Sequence, residues 1–239
     1  MRTFLFTIVS LLISCYVFAQ PPEDRWGISA SWGPTFQVVK RGDKNFSRNF
    51  DNHGVVNPEV KLTRYLRSGV GVSAGYWNEE VRLLSGDVDY TMGGLLVGAR
   101  YYATPSDWVV HFYGGADLLF NFKEKALHGH VESFGNSEKI SSVVYSGKSP
   151  FLTVAPNVGV EIPVFSSILF FLQYDFRLGI RSSAHIIYRD EYAGKEFLFK
   201  NHAMRHSLVF GLRVNFPFEW NEDDSFNLVN GILDLILCR

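Results

Sequence analysis

Two histidines followed by a glutamate form a group of residues that could bind a metal ion. His128 and His130 are separated by one glycine, and Glu132 follows two residues later. Imidazole and carboxylate are ligands that zinc accepts, but this spacing fixes no third ligand in a defined position. The stretch is also rich in polar residues. We therefore expect a solvated segment here and assign no metal ligand.

Hydrolytic chemistry needs a nucleophile, a base within hydrogen-bond reach and an acid that orients the base. His206-Ser207 and His111 supply residues of the right types. The chain lacks the G-x-S-x-G motif of a nucleophile elbow. Spacing alone brings none of these residues together, so the sequence assigns no catalytic residue and no cofactor-binding residue. We expect a protein that is not an enzyme and has no cofactor.

The elements that would position these side chains are strands with strict alternation of apolar and polar residues. In SILFFLQYDFRLGI (167–180), every second residue from Ile168 to Ile180 is large and apolar. A strand sends the two sets of side chains to opposite faces. Eight such segments are present, at positions 26–41, 54–66, 69–79, 90–103, 108–122, 151–164, 167–180 and 206–218. Their lengths suit tilted strands that cross a membrane.

Short and long connections alternate between these eight segments. The short ones are 67–68, 104–107 and 165–167, and the long ones are 42–53, 80–89, 123–150 and 182–205. This asymmetry is typical of outer-membrane barrels, which have short periplasmic turns and long outer loops. Two short motifs fall in the first long loop. Arg41-Gly42-Asp43 matches an integrin-ligand tripeptide and Asn45-Phe46-Ser47 matches a glycosylation sequon, but such short matches arise by chance and predict no function.

Charged residues stand on the polar face of the alternating segments, and their placement decides which face meets lipid. They are Glu59, Lys61, Arg100, Asp117, Glu161, Asp175, Arg177 and Arg213. An arginine or lysine that faces lipid at the bilayer midplane costs about 2–4 kcal/mol. We therefore expect apolar side chains outside and a network of ion pairs inside, in a lumen too narrow for a diffusion pore. Aromatic residues near strand ends are expected at the two membrane interfaces: Trp26, Tyr65, Trp77, Tyr90, Tyr101, Trp108 and Phe218.

The ends of the chain indicate export. Residues 1–19 have an early arginine, an apolar run and Val17-Phe18-Ala19 before Gln20, which predicts a signal peptide. Cys15 also resembles the lipidated cysteine of a lipoprotein signal, although the residues after it are unusually apolar. If Cys15 is removed with the signal peptide, Cys238 remains alone and no intrachain disulfide can form. Residues 219–239 are expected to form a periplasmic tail.

The chain resembles an outer-membrane β-barrel family of the Bacteroidetes, related in fold to the OmpA and OmpX barrels. The signal peptide carries this resemblance together with ARYYATPSD (99–107), FYGGA (112–116) and GLRVNF (211–216). The PorT-like barrels of the type IX secretion system have a similar size and architecture. The resemblance and the alternation predict an all-β, eight-stranded antiparallel up-and-down transmembrane β-barrel over residues 20–218, in the bacterial outer membrane.

The expected function is a non-catalytic barrel with a plugged polar lumen and a structural or binding role through its long extracellular loops. Three alternatives remain open: a PorT-like accessory of secretion or assembly, a lipid A-modifying enzyme, and a soluble ligand-carrying barrel with an apolar interior. Expected partners are outer-membrane lipid, the barrel-assembly machinery and a periplasmic or extracellular protein. The net charge of −1 gives no basic stripe for nucleic acid.

Overall fold

The computed structural model describes residues 25–41, 55–66, 69–83, 88–104, 110–123, 126–135 and 138–219. The predicted signal peptide, both cysteines, Trp108 and the tail after Glu219 lie outside these residues. So do Gly42, Asp43 and the sequon at 45–47 of the first predicted loop. Within the described residues, no helix is long and apolar enough to cross a membrane.

Thirteen strands make up the described chain. They are β1 (Trp26–Trp32), β2 (Pro34–Arg41), β3 (Val55–Val56), β4 (Glu59–Leu66), β5 (Val70–Leu83), β6 (Val88–Tyr102), β7 (His111–Phe120), β8 (Ala126–Gly135), β9 (Glu138–Lys148), β10 (Leu152–Phe165), β11 (Ile168–Ile180), β12 (Ser183–Asp190) and β13 (Lys195–Phe216). Every pairing between them is antiparallel.

Eight of the strands close into a ring in the order β1, β4, β5, β6, β7, β10, β11, β13. The ring closes where β13 pairs with β1, in a register that runs from Trp26 opposite Phe216 to Trp32 opposite Phe210. Closure leaves no sheet edge inside the membrane, which hydrocarbon requires because it offers backbone groups no hydrogen-bond partner. The predicted eight-stranded up-and-down barrel is confirmed.

The other five strands extend the wall of the barrel beyond the end that carries the long connections. β13 is 22 residues long; its first half pairs with β12 and β2, and its second half pairs with β11 and β1. The hairpin β8–β9 joins β12, so the sheet continues in the order β8, β9, β12, β13. We call β8, β9, β12 and the first half of β13 the extracellular extension.

The prediction of long loops at 80–89, 123–150 and 182–205 is therefore wrong for much of their length. β5 and β6 reach into the first of these segments, β8 and β9 occupy most of the second, and β12 with the start of β13 occupies most of the third. These strands form because the backbone ladder of the barrel continues past the membrane and supplies partners. Polar residues on both faces conceal the alternation in the sequence of β8 and β9.

The side chains are distributed as in a membrane barrel. Leu95, Phe112 and Val158 on the outer face are 50–60% exposed, whereas Asp175 and Arg213 on the inner face are 1% and 0% exposed. A soluble barrel would have the opposite arrangement, because water would expel the apolar side chains from the surface. The alternative of a soluble ligand-carrying barrel is therefore overturned.

The aromatic residues predicted at the interfaces divide into two groups. Trp26 and Phe218 lie on the outer surface with 42% and 50% exposure, and Tyr101 also has the outward parity. The prediction is wrong for the residues that lie inside the barrel, namely Tyr65, Trp77 and Tyr90. Each of them has the parity of the inward-facing residues of its strand, so its side chain points into the lumen even though it is near a strand end.

Candidate functional site

Ten charged side chains of the described residues lie in the lumen of the barrel, each 3% exposed or less. All eight of the predicted inward charges are among them. Glu79 and Arg205 are the two that the sequence analysis missed; Glu79 was placed at a strand end, and Arg205 was assigned to a loop. Five of these ten are cations and five are anions, so their charges sum to zero. Seven of the eight barrel strands contribute at least one of them.

The larger group of charges, which we call the upper network, is centred on Arg177 of β11. Its Nη1 donates to Glu79 Oε2 at 2.9 Å, and its Nη2 donates to Asp175 Oδ2 at 3.1 Å and to Glu59 Oε1. Glu79 also pairs with Arg205, with 2.8 Å between Oε1 and Nε. These contacts join β4, β5, β11 and β13 across the lumen.

Lys61 extends the upper network to the opposite wall. Its Nζ is 3.1 Å from Glu59 Oε2 and 2.9 Å from Asp117 Oδ2 on β7. Asp117 also accepts a hydrogen bond from Asn157 Nδ2 at 3.3 Å. The lumen is tightly packed at this level, because a Cβ placed on Gly98 would lie 1.8 Å from Asp117 Oδ1.

A second group, the lower network, lies nearer the short turns. Glu161 accepts hydrogen bonds from Arg213 Nη1 at 2.5 Å, from Arg100 Nη1 at 3.4 Å and from the Tyr102 hydroxyl at 3.0 Å. Arg213 also donates to the Tyr65 hydroxyl. Cation–π contacts add to these bonds, with Arg100 4.9 Å from the Tyr113 ring and Arg213 5.4 Å from the Phe171 ring. One carboxylate thus serves two buried guanidinium groups.

An apolar cluster fills the extracellular end of the lumen, where the sequence analysis expected polar side chains. Its members come from the barrel and from the extracellular extension: Trp77, Tyr90, Met92, Leu96, Leu119, Val143, Ala155, Ile186, Tyr188 and Phe197. The cluster meets the upper network where Arg205 Nη1 lies 3.8 Å from Met92 Sδ. The parity of Met92, Leu96 and Leu119 within their strands could have identified them as inward-facing.

The residues considered for hydrolytic chemistry do not come together. Ser207 points inward, where its hydroxyl bonds with Thr35 Oγ1 at 3.2 Å and the Pro34 carbonyl at 3.3 Å. His206 points outward and shares a hydrogen bond with the Tyr174 hydroxyl on the outer face. His111 is half-buried near the short-turn end of the barrel, at the register position opposite Glu161. The wall of the barrel separates His206 from Ser207.

The histidine pair of the sequence analysis lies on β8 in the extracellular extension. His128, His130 and Glu132 share one exposed face of the strand. His130 Nε2 is 3.1 Å and Lys139 Nζ is 2.6 Å from Glu132 Oε1. The hydrogen bond from Lys139 is the main reason that the pKa of Glu132 is lowered. The described residues include no group of three histidine, cysteine, aspartate or glutamate side chains placed to hold a metal ion.

A closed ring of eight strands with apolar side chains outside and charged side chains inside fits a lipid bilayer, and barrels of this kind reside in bacterial outer membranes. The chain is an outer-membrane β-barrel. No family model and no curated protein matches it. Its structure is similar to that of the outer membrane protein OprG from Pseudomonas aeruginosa, with 14% identity, a TM-score of 0.47, and coverage of 83% of this chain and 98% of the other.

Two further solved structures have a similar fold. Neisserial surface protein A (NspA) has 12% identity and a TM-score of 0.43, and the match covers 80% of this chain and 95% of that one. Ail, the attachment invasion locus protein of Yersinia pestis, has 11% identity and a TM-score of 0.37, with coverage of 81% and 99%. The location of this chain in the outer membrane follows from its own geometry.

Proposed function

We propose that this protein is a non-catalytic, non-conducting outer-membrane barrel that holds its extracellular extension rigidly at the cell surface to bind a protein partner. The observation that carries the proposal is the set of ten buried charges in the lumen, which sum to zero and pair with one another. A barrel that transports ions needs charged groups that are free to exchange water for the ion. Here those groups are engaged with opposite charges, most of which lie on other strands.

The packing of the lumen supports a closed barrel. Eight strands enclose a space that side chains can fill. An ion on the barrel axis would have to separate Arg177 from three carboxylates, and such separation leaves charges buried without partners, which is costly. The apolar cluster above the upper network adds a second barrier, because a dry constriction resists the entry of hydrated ions.

The extracellular extension supports a binding role. It is a paired sheet, so a partner would meet a surface that is already ordered and would lose less conformational entropy on binding. Several large apolar side chains on this extension are more than a third exposed: Phe134, Ile140, Val144 and Leu198. Val144 and Leu198 lie in one row across the sheet, because both are in register with the neighbouring strand at Ile187. Exposed apolar groups beyond the membrane are typical of protein interaction sites.

Conductance in planar lipid bilayers tests the closed lumen. We expect no stable conductance steps from the intact protein, and steps from a variant that combines Arg177→Ala with Glu59→Ala, since this pair links the two walls of the lumen. The matched control combines Arg189→Ala with Glu196→Ala, which removes an exposed ion pair of 2.8 Å from the extension. This control variant should show no conductance steps. Steady conductance by the intact protein would contradict the proposal.

Photo-crosslinking in the intact cell envelope tests the binding role. A photoreactive residue at Val144 or Leu198 should give the same discrete crosslinked product, because the two positions share one row of the outer face. The same residue at Leu172, on the lipid-facing side of β11, should not give that product. If neither position on the extension yields a discrete product, the extension has no stable protein partner under those conditions and the binding role fails.

A further inference from the structure

Basic residues lie along the outer rim of the barrel, where the membrane-spanning strands give way to the extracellular extension; Lys148 and Arg181 are neighbours there, and the Lys123 side chain is directed away from them toward Asn78 on β5. Lys123 follows the end of β7, Lys148 is the last residue of β9, and Arg181 follows the last residue of β11. The pairing of the strands makes Lys148 and Arg181 neighbours, because Lys148 is in register with Ser183, two residues after Arg181. All three side chains are exposed. We call this group the basic rim.

An aromatic patch lies directly below the basic rim on the outer face. The Phe151 ring is 6.1 Å from the Phe120 ring and 6.3 Å from the Phe122 ring. Phe122 and Phe151 are each 56% exposed, and Ile180 beside them is 44% exposed. Aromatic side chains concentrate at the level of lipid headgroups. The patch therefore marks the outer boundary of the hydrocarbon layer, and the basic rim lies at the height of the headgroups.

The positive charge of the basic rim is not balanced within the described part of the chain. Neither the Lys148 nor the Arg181 side chain has an ion-pair or hydrogen-bond partner among the described residues, and Lys123 Nζ donates to the neutral Asn78 Oδ1 at 2.6 Å. Three acidic residues of the extension have their own cations: Glu132 and Glu191 pair with Lys139, and Glu196 pairs with Arg189. The charge near the membrane is left available to an external anion.

The backbone of Arg181 gives an independent reason to look for a role. Its φ is +56°, in the left-handed region. Glycine adopts this conformation freely, whereas a residue with a Cβ is strained in it. A strained residue at a surface position is a reason to look for a function that needs its side chain. The guanidinium of Arg181 is well suited to phosphate, because its N–H groups match two phosphate oxygens at once.

We infer that the basic rim binds the phosphate group of a phosphorylated lipid of the outer leaflet, with the acyl chains of that lipid lying against the aromatic patch. Arg181 and Lys148 supply the contacts to the phosphate. This site does not depend on a closed lumen or on a protein partner.

Native mass spectrometry of the full mature chain in detergent micelles tests the site. The probe is diphosphorylated lipid A, compared with lipid A from which the phosphates have been removed. The test variant combines Lys148→Ala with Arg181→Ala, and it should bind the phosphorylated lipid roughly 30-fold more weakly, because each basic residue near an anionic surface contributes about a factor of five. The matched control combines Lys139→Ala with Lys195→Ala, which removes two positive charges far from the membrane and should bind normally.

Arg181→Gly keeps the test decisive if the double variant folds poorly, because glycine accepts the local backbone conformation. This variant should fold as well as the wild-type chain, by the heat-dependent shift in gel mobility, and should still bind the lipid more weakly. Equal binding by the wild-type chain and the double variant would overturn the inference, as would equal binding of the lipid without phosphates. Displacement of the lipid by inorganic phosphate at the same concentration would also overturn it, because the site would then recognise a free anion.

Discussion

Replacing Glu161 with glutamine should destabilise the barrel strongly, because this carboxylate is the only acid in the lower network. It accepts hydrogen bonds from Arg213 Nη1 at 2.5 Å and from Arg100 Nη1 at 3.4 Å, and all three side chains are 2% exposed or less. Glutamine preserves the shape of the side chain and removes its charge. Two guanidinium groups would then remain buried next to each other without a counter-charge.

The size of the effect follows from the difference between buried and exposed ion pairs. Removing one partner of a buried pair costs about 3–5 kcal/mol, because the remaining charge stays out of water. Glu161 serves two cations, so we expect at least the lower end of this range. The exposed carboxylate of Glu132, which pairs with Lys139 at 2.6 Å, provides the matched control. Its replacement by glutamine should change the free energy of unfolding far less, because water screens an exposed pair.

Equilibrium unfolding in urea, followed by tryptophan fluorescence in lipid vesicles, measures both variants. A second measurement separates charge from packing: combining Glu161→Gln with Arg213→Met should be less destabilising than the sum of the two single changes, because the double variant buries one unpaired cation fewer. If Glu161→Gln unfolds within about 1 kcal/mol of the wild-type chain, the lower network is hydrated. The proposal of a closed lumen would then lose its support at this level of the barrel.

Three further changes test other parts of the structure. In unfolding experiments, Gly115→Ala should cost about 1–3 kcal/mol, because a Cβ there would lie 2.2 Å from a carbonyl oxygen of β6. Its matched control is Gly114→Ala on the outer face, which should be nearly neutral because the added Cβ meets nothing closer than 3.8 Å. Leu172→Arg places a charge in lipid and should lower the free energy of unfolding in vesicles by about 2–4 kcal/mol, whereas Leu172→Phe should leave it nearly unchanged. Equal stability of the two variants would contradict a lipid-facing position for residue 172. The hydrogen bond from Lys139 lowers the pKa of Glu132, so the β8–β9 hairpin should weaken only as pH falls below the ordinary carboxyl range. Lys139→Gln should raise the pKa of Glu132 in a carboxyl NMR titration. An unchanged pKa would count against the contact between the two side chains.

Strand alternation was sufficient to predict the barrel and the side of the wall on which charges lie. Lys61 and Asp117 stand far apart in the chain, yet each shares the inward parity of its strand, and they meet at 2.9 Å in the lumen. The reason is that a charge facing lipid is unfavourable on every strand, so the buried charged side chains of the barrel strands all lie on the inner face. The pairs themselves were not predictable, because they depend on the tilt and stagger of strands around the ring.

The extracellular extension was missed because water imposes no such rule there. β8 has histidine, glycine, serine and glutamate among its residues, and its two faces differ little in polarity. Its pairing with β9 depends on the ladder that begins in the membrane, which a local pattern does not reveal. The interfacial aromatics were misplaced for a different reason. Tyr65 is an even number of residues from Glu59 and Lys61 in β4, so its side chain lies on the same inner face. This alternation could be read from the sequence, and it determines the face of a side chain whether or not the residue is near a strand end.

The apolar cluster joins the barrel wall to the extracellular extension. Trp77 and Leu119 belong to the barrel wall, Val143 and Ile186 belong to the extension, and all four are 1% exposed or less in one continuous cluster. Lifting the extension away from the barrel would expose this apolar surface to water, which is unfavourable. The same side chains therefore hold the extension in one orientation against the end of the barrel.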